Sequence, residues 1–228
     1  MSAPRLSLES AGPHRLPSLR QGPGDIPALI VVQPLYEEQN RCRRFLVQLG
    51  AALAAHGIPT TVPDLPRSGD SPDIGPFDLR VAKDALRRLA DAEATPGILA
   101  MRGGALLAAP LARGQISIAP VWAGDRLLRD LVRSHAVAEK ERTGAAFGMA
   151  EAQRTWREGG DLWLSGHPVS AAAAETLSAS VSPCGEVLEA PELGLPPLWR
   201  QAEPVEAGEA AARAAERVAR WLAEARGS

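Results

Sequence analysis

Cysteine is almost missing from this 228-residue chain, where Cys42 and Cys184 stand far apart among four scattered histidines. No CxxC or HExxH spacing results, so neither a disulfide framework nor a metal centre is expected, no cofactor is implied, and a reducing compartment suits the chain. Aromatic residues supply only 4% of the sequence. The core must then be built from small aliphatic side chains in closely packed helices. There is no basic block either: 25 basic and 27 acidic residues are interspersed, leaving a formal charge of -2. Nucleic acid is therefore not an expected partner. No apolar run reaches the roughly 18 residues needed to span a bilayer. The opening "MSAPRLSLESAGPHRLPSLR" lacks the apolar centre of a secretory signal. A cytoplasmic protein without a membrane span is the expectation.

What is present is an alternation of strand and helix patterns. Residues 1–25, rich in Pro, Gly and Ser, read as an irregular or weakly stranded lead-in. The β-branched run 28–32 predicts a strand buried on both faces, and 37–56, with Phe45, Leu46, Leu49 and Leu53 at helical spacing, predicts a helix stopped by Gly57. Strands at 59–64, 97–101 and 116–121 and helices at 78–94 and 103–112 follow. Four alternations predict a mostly parallel sheet with right-handed crossovers. Residues 123–160 read as a helical connector or partial lid, 161–165 and 185–189 as late strands flanking an alanine-rich helix, and 206–226 as an amphipathic helix packing through Val218, Trp221 and Leu222. The length suits one domain over residues 1–228.

Chemistry concentrates at "GILAMRGGALLA", residues 97–108. A strand that turns sharply through small residues into a helix is the layout of a G-x-S-x-G nucleophile elbow. Ala100, Gly103 and Gly104 meet the size demand, but Arg102 occupies the nucleophile position. A guanidinium cannot be acylated and stays charged. The plainer alternative is that two glycines open a helix close to a sheet. A triad would also need a histidine after the last strand. The corresponding "APELGLPPLWRQAEP" offers Trp199 and Glu203 but no imidazole, while His167 in "LSGHPVS" reads more simply as a turn residue.

Two further stretches carry a resemblance. In "QPLYEEQNRCRRFLVQLGAALAAHGIPTTVPDLPRSGDSP", Tyr36, Glu37, Glu38, Asn40, Arg43 and Arg44 precede Asp64, Leu65, Gly69, Asp70 and Ser71. This order resembles the exosortase A system-associated hydrolases, particularly the type 2 group, and the likeness continues through "LAMRGGALLA", "APVWAGDRLLRDLVR", "LWLSGHPVSAAAAETL" and "LPPLWRQAEP", over roughly residues 27–205. It implies a three-layer α/β-hydrolase-like fold, in which the strand at 28–32 lies beside the strand at 97–101; the N-terminal strands of this chain read as shortened against that pattern. It also implies a bacterial protein associated with protein sorting and extracellular polysaccharide. The chain departs from the pattern at Ala100, where the first elbow glycine is usual, and at Gly166-His167, where Gly-Tyr is usual.

Three functions follow as alternatives. The first is an accessory protein without a Ser-His-acid triad that binds a small anionic or acyl ligand in the relic cleft, and works with a protein partner of such a system. Arg102, the backbone amides at Gly103 and near Leu35, and the helix dipole would favour an anion there. Glu37, Glu38 or Asp125 would pair the guanidinium, and Tyr36, His167, Trp199 and Glu203 would line the cleft. The second is an active hydrolase or acyl-transfer enzyme on an ester-type substrate, needing a hydroxyl such as Ser68, Ser71 or Ser165 beside a histidine. The third is an interaction protein with no small-molecule site.

Overall fold

The computed structural model describes residues 3–92, 97–111, 114–201, 203 and 205–227. Strands β1 (Arg5–Ala11) and β2 (His14–Gln21) form an antiparallel hairpin, followed by β3 (Leu29–Val32), helix α1 (Glu37–Ala55), β4 (Thr60–Pro63), α2 (Leu79–Ala92) and β5 (Gly97–Met101). A 3-10 turn at Arg102–Gly104 leads into α3 (Ala105–Ala108), then β6 (Gly114–Ile118), α4 (Gly124–Thr143) and α5 (Met149–Arg157). The chain continues through β7 (Leu162–Leu164), β8 (His167–Val169), α6 (Ala171–Ser178), β9 (Glu186–Leu188), α7 (Ala190–Leu193) and α8 (Gly208–Gly227).

Seven strands lie in the order β1-β2-β4-β3-β5-β6-β9, parallel from β4 onwards. Because side chains alternate along a strand, each central strand feeds both faces. On one face Ile30, Val32, Ile98 and Ala100 meet Ala82, Leu86 and Leu89 of α2, along with α3, α4 and α6. On the other, Leu29, Val31, Leu99 and Met101 meet Phe45, Leu49 and Leu53 of α1 and Ala211, Ala214 and Val218 of α8. The result is three layers around a mostly parallel sheet. Each fully buried Leu or Phe contributes about 1.5–3 kcal/mol. Among the described residues, no helix is long and apolar enough to cross a membrane.

Several sequence expectations need correction. Residues 5–21 are not an irregular lead-in, and β1 and β2 are not short: they run seven and eight residues, longer than any other strand described. Gly12, at φ 66, opens the two-residue turn Gly12-Pro13 that pairs them. The segment 161–165 contributes β7 to a separate hairpin with β8 instead of a late strand of the central sheet. Of the helix expected at 103–112, residue 112 lies outside the described residues and 103–111 form short 3-10 and α pieces, as Pro110 cannot continue an α ladder. The strand expected at 116–121 ends at Ile118, where Ala119 turns to φ 45.

Candidate functional site

The register Leu29↔Gly97 to Val32↔Ala100 places β3 against β5, so the loops after both strands open at the same sheet edge. Arg102 follows β5 with φ 52, a left-handed conformation that a non-glycine residue adopts only when its surroundings impose it. The turn is that tight because the next chain is close. A Cβ on Gly104 would stand 2.5 Å from the Val32 carbonyl oxygen, and one on Gly103 would stand 3.2 Å from Leu35 Cγ. The Arg102 carbonyl accepts a hydrogen bond from the Val121 amide at 3.0 Å. An elbow therefore exists in backbone terms, with arginine at its tip.

Arg102 is 2% exposed. Its Nε donates to Glu38 Oε2 at 3.2 Å and its Nη2 to Glu38 Oε1 at 2.9 Å, a two-point grip, while Nη1 reaches the Ala119 carbonyl at 3.4 Å. Asp130 Oδ2 lies 3.9 Å from Nη2. The Trp199 ring covers the guanidinium, with Cζ 4.1 Å from the ring centroid. Thus α1 supplies the counter-ion, α4 a second carboxylate, and the loop after β9 the aromatic cover. Burial pushes the Glu38 carboxyl above its ordinary range; the hydrogen bonds and charge of Arg102 pull it down, and Asp130 adds to the rise. Beneath it, burial pushes the Cys42 thiol up to about 12, leaving an inert side chain.

The other residues expected here divide sharply. Glu37 turns away from Arg102 and holds Arg41 at 3.3 Å, with His167 Nε2 3.8 Å from its second oxygen. Asp125 is exposed at the start of α4 and does not pair Arg102; Asp130, further along the helix, faces it instead. Glu203 is exposed and outside the cavity wall. Tyr36, at φ 57, is buried edge-on to Phe77 and His167, with ring centroids 5.5 and 5.6 Å away. Burial raises the Tyr36 hydroxyl and lowers His167. Sequence reasoning missed Asp130, Ala119 and Arg41, which bonds the Trp199 carbonyl at 3.1 Å. The periodicity of α4 was the available signal, since Asp130 lies three residues beyond the buried Leu127.

Above the elbow lies a cavity of about 660 Å³, bounded by Leu35, Leu127, Leu131 and Trp199, whose charged lining is mixed: Arg41, Arg133 and Arg200 stand with Glu37, Glu38, Asp130 and Glu141. Among the described residues, no serine or cysteine side chain hydrogen-bonds a histidine ring. Ser68 Oγ donates to the Leu65 carbonyl, Ser71 Oγ accepts from the Asp73 amide, and only the backbone amide of Ser165 meets His135. Nor is there a cluster of three metal-ligating side chains among the described residues.

The paired β3 and β5, the tight turn at positive φ and the helix behind it decide the fold. It is an α/β-hydrolase fold. No protein-family model and no curated protein matches the chain. Among solved structures, a proline iminopeptidase-related protein from Thermus thermophilus is 22% identical, with a TM-score of 0.42 over 59% of this chain and 51% of its own. An epoxide hydrolase from Vigna radiata is 15% identical, with a TM-score of 0.43 over 60% and 45%. A protein from Streptococcus mutans is 13% identical, with a TM-score of 0.46 and full coverage of both chains. The chain thus spans about half the length of the first two. None of these likenesses carries the fold, which rests on the sheet and elbow.

Proposed function

We propose that this chain keeps the α/β-hydrolase scaffold without acyl-enzyme chemistry and uses the cleft to hold a ligand with an acyl-type apolar body. It would serve as a cytoplasmic accessory protein of a bacterial exosortase or exopolysaccharide system. The observation that carries the first part is the stack of Trp199 on Arg102 while Glu38 grips the guanidinium. Arginine fills the nucleophile position, and a tryptophan from the loop after the last strand covers it where a triad would need a histidine. The accessory role rests on the sequence resemblance. The residues of that resemblance have local work: Asp64 accepts from Gln33 and Gln39 and from the Asp70 amide, and Arg43 reaches Asp70 at 3.2 Å.

The cavity supports this ligand class. The fork of Arg102 is already taken by an internal carboxylate, so a free anion would have to displace Glu38 from a buried pair, at a cost of several kcal/mol. An anionic end is better served by Arg200, which is exposed at the cavity and has no ion-pair partner among the described residues. Leu35, Leu127, Leu131 and Trp199 supply an apolar wall. Native mass spectrometry with sodium octanoate, laurate and palmitate tests this reading. One equivalent should bind, and Val137→Trp, an exposed position on the cavity wall, should abolish binding without unfolding. Absence of binding, or binding unchanged in Val137→Trp, would remove the acyl-ligand reading.

An active hydrolase has one observation in its favour, the His167–Glu37 approach at 3.8 Å beside Tyr36. That pair would have to activate water directly, so any ester turnover should disappear in His167→Ala.

A further inference from the structure

The two edges of the central sheet are protected unequally. β9 is only three residues long, a length that offers little for another chain to pair with. β1 runs seven residues in unbroken register with β2, contains no proline, lysine or bulge, and is paired on one side only among the described residues. Its turn fixes which groups are unpaired. Across the Gly12-Pro13 turn, Ala11 and His14 form a hydrogen-bonded pair, so Arg5, Ser7 and Glu9 direct their backbone groups at β2. Leu6, Leu8 and Ser10 therefore direct theirs outward. The same two leucines are 87% and 59% exposed, beside a shallow depression lined by Pro17, Leu19, Val47 and Val62. An open strand edge and an uncovered apolar strip thus coincide.

We propose that two copies of this chain associate edge to edge through β1, antiparallel about a two-fold axis at Ser7. The strand is complementary to itself in that register. Arg5 falls opposite Glu9 of the second copy, Leu6 opposite its Leu8, and Ser7 opposite Ser7. Leu6 and Leu8, whose backbone groups point outward, become the hydrogen-bonded pairs, and four leucines gather on one face. Opposite charges face each other across the axis, while Glu9 keeps its pair with Arg20 and Arg5 its pair with Asp25 in their own chain, and apolar surface meets apolar surface without any side chain changing faces, which favours a second copy over an unrelated strand.

Sedimentation velocity across a concentration series should show a monomer–dimer equilibrium. The double substitution Leu6→Lys with Leu8→Lys should abolish the dimer and leave the melting curve of the monomer unchanged, since both side chains are already in solvent. The register has its own test. In a non-hydrogen-bonded antiparallel pair the Cα atoms lie about 4.5 Å apart, within disulfide range. Ser7→Cys in a Cys184→Ser background, where the remaining thiol Cys42 is buried, should therefore give a covalent dimer under mild oxidation. A monomer at every concentration would overturn the proposal, as would a dimer indifferent to the lysine substitutions or one cross-linked by Leu8→Cys but not Ser7→Cys.

Discussion

Arg102 and Glu38 form a buried two-point ion pair across the cleft, with nitrogen–oxygen distances of 3.2 and 2.9 Å and side-chain exposures of 3% and 10%. The arginine follows β5 and the glutamate lies in the first turn of α1, so the pair ties together the two loops that an α/β-hydrolase uses for nucleophile and oxyanion.

Removing one partner leaves the other buried and alone. Arg102→Ala should cost about 3 kcal/mol or more, a fall in melting temperature of about 6–12 °C for a chain of this size. The double replacement Arg102→Met with Glu38→Leu should recover much of the loss. In Arg102→Ala the Glu38 carboxyl rises further above its unfolded value. The folded state then holds that proton to higher pH than the unfolded chain, so the deficit should be smallest in acid and grow as pH rises through the folded value. Thermal melts at several pH values check both statements.

His167 supplies the opposite sign. Burial lowers its folded value beneath the ordinary 6.5, with Glu37 opposing more weakly. Its stabilising contribution is therefore complete above pH 6.5 and lost as pH falls through the folded value. His167→Gln should flatten the acid limb of stability against pH below that point, as read by urea titration. An unchanged limb would show that the ring is not desolvated.

The two elbow glycines should respond unequally. A Cβ at Gly104 meets backbone, the carbonyl oxygens of Val32 and Gln33 at 2.5 and 2.7 Å, whereas one at Gly103 meets the side chains of Leu127 and Leu35 at 3.1 and 3.2 Å. Gly104→Ala should cost about 3 kcal/mol, because β3 itself must shift, and Gly103→Ala about 1 kcal/mol. Equal losses in denaturant titration would contradict the close approach of β3.

The order of strands and helices was legible because buried parallel strands and amphipathic helices leave strong periodic patterns. The hairpin at residues 5–21 was less so: Leu6 and Leu8 face solvent, so alternation there carries no core signal, and the turn Gly12-Pro13 was the one clue. At the site, the sequence brought Arg102, Glu37, Glu38 and Asp125 into consideration without ranking them. Successive helical residues point about 100° apart. That rotation buries Glu38 and turns Glu37 outward, and it is set by the packing of Phe45 and Leu49 beneath the sheet. For Asp130 the periodicity of α4 places it on the face of the buried Leu127, but that this face meets Arg102 depends on the tilt of the helix, a tertiary quantity.

On the function proposed above, the elbow is filled rather than catalytic. Incubation with a fluorophosphonate probe, followed by intact-mass measurement, tests it most directly. No adduct should form on the unmodified protein and none on Arg102→Ser, because an introduced hydroxyl would still lack a histidine. One adduct per chain on the unmodified protein, lost together with ester turnover when a single serine is replaced, would contradict it.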